Sequence, residues 1–282
     1  MVPGVIMTNE TQGGAAVQLS VSIVVFHSEI DELLDNLDSL SAAVKALSGD
    51  TLVEILDNSI DMPYSADLAR ALTSREPHWH FTLRYREMDD NLGYGRANNI
   101  AIAETNASYH LILNPDVHLR PDSLVLAVNH LEENSDCVLV TPRILHQGEK
   151  THVAKRFPNV LTLALRAFRG RWQPAMFRKR LDTYTCAHLG ETLSEVDIAG
   201  GCFMLVRSGE IKQVGGFDED FFMYFEDFDL SLRLRELGRI DFLPSVVIQH
   251  EGGGVGGKDW RHQWYFARSA VTFFNRHGWQ LI

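Results

Sequence analysis

From Val21 to Val140 the chain alternates short apolar, often β-branched runs with segments whose leucines recur at helical spacing. That alternation restricts the fold more than any other feature. Val21 to Phe26 reads as a strand buried on both faces. Glu29 to Leu47 then carries Leu33, Leu34, Leu37, Leu40, Val44 and Leu47 along one helical face. The strand pattern returns at Leu52 to Leu56, Phe81 to Tyr85, His110 to Leu113 and Val138 to Val140. Between these runs lie helical stretches through Leu68 and Leu72, from Ala97 to Ala103, and from Leu124 to Leu131 behind Pro121, a residue suited to a helix start. Such an order predicts an α/β fold with a mostly parallel central sheet and helices on both faces. Ligands of such sheets lie beyond the carboxyl ends of the strands. Asp57, Asn91 and Asp116 fall at or just after those ends.

The second half changes character. A strand-like segment runs from Val196 to Val206, a helix passes through Leu232 and Leu237, strands follow near Phe242 and Val246–Ile248, and an aromatic-rich helix runs from about Trp260 to Asn275. No repeat or linker interrupts the chain, which predicts one domain over residues 18–282 behind a flexible leader, 1–17. The run Gly215 to Leu230 sets Glu226, Asp227 and Asp229 among Tyr224, Phe225 and Phe228. Aromatic neighbours exclude water and raise a carboxylate toward a pKa useful for proton abstraction. Acids at a helix start also complement its macrodipole. That accounts for the carboxylates but not for the rings around them, and a catalytic or binding role is favoured.

Net charge of −11 argues against a general nucleic-acid surface. Three widely spaced cysteines with no CxxC fit a reducing, cytoplasmic setting rather than a disulfide framework or a zinc site. There is no signal-peptide pattern and no apolar run long enough to span a bilayer. Against the acidic background, Lys150 to Arg180 holds nine basic residues and no acid, interleaved with Leu, Phe and Trp. As a solvated helix face, the Lys155–Arg180 stretch would mean little. As an amphipathic element it would meet anionic phospholipid or a lipid-diphosphate acceptor, and this peripheral membrane contact is the reading preferred.

Four further segments carry polar groups at positions suited to a ligand. Asp57-Asn58-Ser59 closes a strand, where it is also good turn chemistry. Asn91-Leu92-Gly93-Tyr94-Gly95-Arg96-Ala97-Asn98-Asn99 places glycines before a helix start, which lets backbone approach a ligand, although the GxGxxG spacing is absent. Asn114-Pro115-Asp116 ends an apolar strand with a carboxylate suited to a hard divalent cation. In Val196 to Met204, Gly200 and Gly201 are equally compatible with a bulge or tight packing.

The run Gly215 to Leu230, strengthened by Ser20 to Ser28, Glu54 to Ser59, and Asn91 to Asn99 with Leu113 to Asp116, resembles family 2 glycosyltransferases, most closely the rhamnosyltransferase-like branch, over about Ser20 to Gly278. The resemblance implies a nucleotide-sugar-binding, GT-A-like domain. It implies inverting transfer of a sugar from a nucleoside diphosphate, with L-rhamnose from dTDP-L-rhamnose the best single choice. The acceptor would be a glycan or polyprenyl-diphosphate-linked sugar in bacterial surface polysaccharide synthesis. Asp227 would be the general base, with Glu226 beside it. Asp57, Asn91, Gly93, Arg96, Asn98 and Asp116 would hold the donor. Asp197, Gly201, Tyr224 and Asp229 would meet the acceptor. Mg²⁺ or Mn²⁺ would sit on Asp116, with His250 completing its shell; Asn114 stands where many relatives have the first Asp of an Asp-x-Asp pair. Another family member using UDP- or GDP-sugars, or a non-catalytic sugar-nucleotide-binding protein, are the alternatives. The intact Asp116 and Glu226-Asp227 speak against the latter.

Overall fold

The β-branched run that opens the alternation becomes β2 (Val17–Val25), buried from Leu19 onward. Burial on both faces follows from its place in the sheet. It pairs in parallel with β3 (Asp50–Asp57) on one side and β5 (Tyr109–Leu113) on the other. β3 pairs in parallel with β4 (Thr82–Glu87). The computed structural model describes residues 6–8, 17–146, 149–151, 153–167, 175–186, 189–250 and 260–281. Of the expected leader, β1 (Ile6–Thr8) lies antiparallel on β4 at the sheet edge. Beyond β5 the sheet continues through β10 (Phe203–Arg207), β7 (Cys137–His146), β11 (Arg239–His250) and β6 (Val117–Leu119). β10 is antiparallel to both β5 and β7, whereas β11 is parallel to β7. As a result β4, β3, β2, β5, β7 and β11 all point the same way, as the alternation predicts. Two short strands, β8 (Glu149–Thr151) on β7 and β9 (Ser194–Val196) on β11, lie off this path.

Helices cover both faces. α1 (Ile30–Val44), α2 (Met62–Arg75) and α4 (Ser123–Glu133) bury Leu33, Leu37, Leu68, Leu72, Leu124 and Leu131 against one face. On the other face, α3 (Tyr94–Glu104), α7 (Ser208–Gln213) and α8 (Glu226–Arg235) contribute Ile102, Ile211, Leu230 and Leu234 to a second cluster with Phe217 and Phe242. α5 (Val160–Ala167), α6 (Ala175–Tyr184) and α9 (Trp260–His277) complete the described elements. No helix among the described residues is long and apolar enough to cross a membrane. Of the Lys155–Arg180 stretch, residues 168–174 and the side chains of 164–167 and 175–178 lie outside the described structure.

Two expectations change in detail. Val196 to Val206 is not one strand, because 197–202 leave the ladder between β9 and β10. Asp197 is pulled aside by Arg156 and Arg235, and a side chain at Gly200 would strike Val153. The separate strands expected near Phe242 and Val246–Ile248 are one strand, β11, with a register shift between Leu243 and Val247.

A buried polar network ties α3 to the centre of the sheet. His110 on β5 is wholly buried, with Nδ1 2.7 Å from Ser20 Oγ and Nε2 3.0 Å from Ser22 Oγ. Ser22 Oγ donates to Asn98 Oδ1, whose amide nitrogen donates to the Tyr94 carbonyl. Burial, and then the charge of Lys212, push the His110 pKa down to about 3. The unfolded chain would protonate near the ordinary value of about 6.5, so it binds the extra proton and folding stability falls as pH drops from there toward 3. The loss approaches about 1.4 kcal/mol per pH unit within that window. Denaturant midpoints measured through it should show this slope in the wild type and a shallower one in His110→Gln; equal slopes would clear His110 of the effect.

Candidate active site

Because six strands point one way, their carboxyl ends share an edge with the entry to the antiparallel β10. The loops that converge there carry most of the residues expected to act. Gly93 has φ +78°, and a Cβ there would meet the Phe222 carbonyl oxygen at 2.7 Å, so glycine is required on both counts. Asn58 Nδ2 donates to the Gly93 carbonyl, and Asn91 Oδ1 accepts from the Gly93 amide. One residue on, the Tyr94 hydroxyl donates to the Gly201 carbonyl at 2.7 Å. The Gly201 amide in turn donates to Asp227 Oδ2 at 3.0 Å. On the other side of the same turn, the Asn114 amide donates to the Cys202 carbonyl. One glycine-containing turn thus links the Gly93 loop, the Asp116 loop and the first turn of α8.

Asp227 is partly open, and its Oδ1 accepts from the Phe228 amide. Burial raises its pKa, against lowering by the Gly201 and Phe228 amides and the charge of Lys155. Glu226 is more enclosed, and its Oε2 has no hydrogen-bond partner. Burial and then the Asp227 charge raise its pKa as well. Adjacent carboxylates in such a place cannot both ionise easily. The better-solvated Asp227, held by two peptide N–H groups, is the one to stay charged while Glu226 keeps the proton. The approach to α8 is strained, since Tyr224 and Phe225 have φ of +70° and +65°.

Asp116 and His250 come together across the edge. His250 ends β11 opposite Val117, and its Nε2 lies 3.2 Å from Asp116 Oδ2. The contact is close but not aligned as a hydrogen bond, so a buried imidazole nitrogen is left without a donor or acceptor. Burial opposes ionisation of Asp116, but His250, a backbone amide and His118 together outweigh it and hold the carboxyl below its usual range. An oxygen and a nitrogen donor so placed fit a divalent cation. The Cys202 thiol is within electrostatic reach of both Asp116 and Asp227. Burial, and then the charges of Asp116 and Asp227, push its pKa up to about 12. A second cluster, His130, Cys137 and Asp241, sits at the opposite ends of the strands. There Arg239 Nε donates to both Asp241 oxygens at 3.0 Å and takes the place of a cation.

Several expected ligand contacts are occupied by structural partners instead. Asp57 is 1% exposed and accepts from the Ser59 amide, Ser65 Oγ and Tyr85 OH, which shapes the turn after β3. Asn98 is buried in the His110 network. Asp229, also 1% exposed, is paired with Arg233 and His277. Asp197 accepts from Arg156, Arg235 and the Phe157 amide. Arg96 is exposed and donates to the Glu219 carbonyl, and the Tyr224 hydroxyl is 3.0 Å from His262 Nδ1. The sequence singled out neither the Tyr94–Gly201 bond nor the support that α9 gives to Tyr224. Both join residues far apart in the chain, and no local pattern marks them.

The model of the family described as Glycosyl transferase family 2 matches residues 20–206. Rhamnosyltransferase WbbL of Escherichia coli (strain K12) is 28% identical over 168 residues, 56% of this chain and 60% of that protein. N-acetylglucosaminyl-diphospho-decaprenol L-rhamnosyltransferase of Mycobacterium tuberculosis (strain ATCC 25618 / H37Rv) is 29% identical over 187 residues, 60% of this chain and 59% of that one. The chain therefore matches about 60% of the length of these relatives. Among solved structures, GalNAc-T7 with UDP, GalNAc and Mn²⁺ superposes with a TM-score of 0.65 at 12% identity, covering 92% of this chain and 48% of that one. The mannosyltransferase PcManGT of Pyrobaculum calidifontis, in complex with GDP-Man and Mn²⁺, gives 0.57 at 16% identity, covering 92% and 65%. At such identities the likeness is one of fold.

The two site glycines differ in what they tolerate. Gly93→Ala must adopt a left-handed backbone and displace Phe222, which should lower stability by about 1–3 kcal/mol. A Cβ at Gly201 would meet Asp227 Cβ at an ordinary 3.5 Å, so Gly201→Ala should unfold close to the wild type. Denaturant titration of both variants checks the contrast, which fails if Gly93→Ala is as stable as Gly201→Ala.

Proposed function

The chain belongs to glycosyl transferase family 2, and on that premise we propose that it is an inverting transferase with a GT-A-like fold. In this reading it moves L-rhamnose from dTDP-L-rhamnose to a glycan or polyprenyl-diphosphate-linked sugar in surface polysaccharide synthesis. The observation that carries it is the Asp227 carboxylate, fixed by the Gly201 amide on the same sheet edge as the Asp116–His250 pair. The names of the E. coli and M. tuberculosis relatives support rhamnose as the sugar, and that of the latter supports a lipid diphosphate on the acceptor.

Asp227 takes the proton of the acceptor hydroxyl. The freed oxygen pair forms the new bond to the anomeric carbon from the face opposite the diphosphate. The bond from that carbon to the leaving oxygen breaks, and its electron pair departs with the nucleoside diphosphate. Burial makes Asp227 a stronger base, and protonated Glu226 prevents a second charge from building beside it. Asp116 and His250 would hold Mg²⁺ or Mn²⁺, which supplies positive charge to the leaving phosphates.

Asp227→Asn keeps the side-chain size and one of the two amide contacts but removes the proton acceptor. Its turnover should fall by roughly 10²–10⁴-fold while donor affinity, read by calorimetry, stays near wild type. Near-normal turnover would move the base elsewhere. Diphosphate release from dTDP-rhamnose, compared with UDP- and GDP-sugars, identifies the donor in the same assay.

Excess chelator should abolish transfer, and Mg²⁺ or Mn²⁺ should restore it. Asp116→Ala and His250→Ala should each weaken binding of Mn²⁺, followed by its paramagnetic resonance in the absence of any substrate. Metal affinity unchanged in both variants would remove the pair from the metal site.

A further inference from the structure

α9 is aromatic on two opposite faces; one packs on the Tyr224–Asp227 segment, and the other carries exposed side chains among the described residues. Its inner face holds the motif that carries the proposed base. Ser269 Oγ donates to the Met223 carbonyl, Phe266 and Phe273 lie 5.1 and 5.3 Å from the Phe225 ring, and His277 reaches Asp229. Residues 262, 266, 269, 273 and 277 share this side at helical spacing.

The outer face carries Trp260, Trp264, Ala267, Arg268 and Val271, again at helical spacing. Trp264 is 52% exposed and Val271 48%. Just past the helix, Trp279 and Leu281 stand 52% and 65% exposed. Scattered exposed apolar residues are ordinary, but a tryptophan-rich stripe on one helix is not. Residues 260–282 hold three arginines and no acid in a chain of net charge −11; of these, Arg276 pairs with Asp218 and Asp220, and Arg268 stands exposed on this face. Arg268 lies over the Trp264 ring, 5.5 Å from its centroid, so a cation and an aromatic surface are presented together.

We propose that the outer face of α9 is a membrane-docking surface that seats the protein on an anionic phospholipid bilayer. Tryptophan prefers the interfacial layer, where its apolar ring and polar N–H are both satisfied, and arginine meets the headgroup phosphates. With no acid among residues 260–282, this face can approach a negative surface more closely than the net charge of −11 would suggest. A second copy of the chain suits it less well, because a two-fold contact through α9 would bring like-charged arginines together. Docking here would also set the Tyr224–Asp227 segment close to the bilayer, since the inner face of the same helix supports it. The proposal goes beyond the transfer reaction and concerns a different surface, so sugar transfer to a short soluble acceptor, measured without lipid, tests the transferase reading independently.

The test is co-sedimentation of the whole chain with phosphatidylglycerol–phosphatidylcholine vesicles, and with phosphatidylcholine alone. Tryptophan quenching by brominated lipid reports insertion. The wild type should bind only the anionic vesicles, more weakly as salt rises, and show quenching. A Trp264→Gln, Val271→Gln double variant should partition at least about tenfold less. Arg268→Glu, which leaves the apolar residues in place, should also bind more weakly, and covers the case in which the double variant fails to fold. Wild-type protein that stays in the supernatant at low salt, or variants that sediment like it, would overturn the assignment. So would a wild-type dimer that the double variant dissolves and that ignores vesicles, because the face would then belong to a second copy.

Discussion

β10 runs against β5 and β7, and the site depends on that reversal. Parallel strands deliver their carboxyl ends to one edge, so chain that enters the sheet from that edge must run the other way. Gly201 and Cys202 immediately precede β10 and are held at the edge by the Asn114 amide. From there the two peptide groups of Gly201 serve two partners, its carbonyl receiving Tyr94 OH and its amide reaching Asp227. Helices α3 and α8 are therefore positioned through one residue of the turn that leads into β10. Such backbone bonds fix geometry without occupying a side chain, which leaves the Asp227 carboxylate available for chemistry.

The acids near this edge separate into two kinds according to how their burial is compensated. A buried carboxylate must be paired or hydrogen-bonded, or else give up its charge. Asp229 and Asp197 have guanidinium partners, and Asp57 has three donors. These groups hold loops in place. Asp227 is met by two peptide N–H groups, and Glu226 retains an oxygen without a partner. Burial therefore shifts both toward the neutral form, a shift that a base can use and a structural ion pair cannot. His250 likewise keeps a buried Nε2 that faces Asp116 without a hydrogen bond.

The strand–helix alternation was legible because each buried strand and each amphipathic helix writes its period into a few consecutive residues. Val21–Val25, Leu33–Val44 and Leu111–Leu113 needed no partner to be recognised. That Asp116 and His250 would reach a common edge was legible because each lies at the end of an apolar strand. It was not legible where the choice lay between a free and a paired carboxylate. Nothing adjacent to Asp197 shows that Arg156 and Arg235 will reach it, and nothing near Asp57 shows that Tyr85 will. The break between β9 and β10 was hidden for a related reason. Its glycines are compatible with a strand until Val153 arrives beside Gly200 from elsewhere in the chain.

The first turn of α8 begins from a backbone that two bulky residues rarely adopt. Positive φ at Tyr224 and Phe225 costs on the order of 1–3 kcal/mol each, and such a conformation persists only where surrounding contacts over-determine it. Those contacts come from α9. Phe225 lies among Phe228, Phe266 and Phe273, and the preceding carbonyl of Met223 is held by Ser269. The position of Asp227 relative to Gly201 therefore rests on a helix that contributes nothing to the reaction itself. A surface that binds the outer face of α9 acts on the element that sets this strained turn, so attachment and the geometry of the carboxylate share one mechanical support.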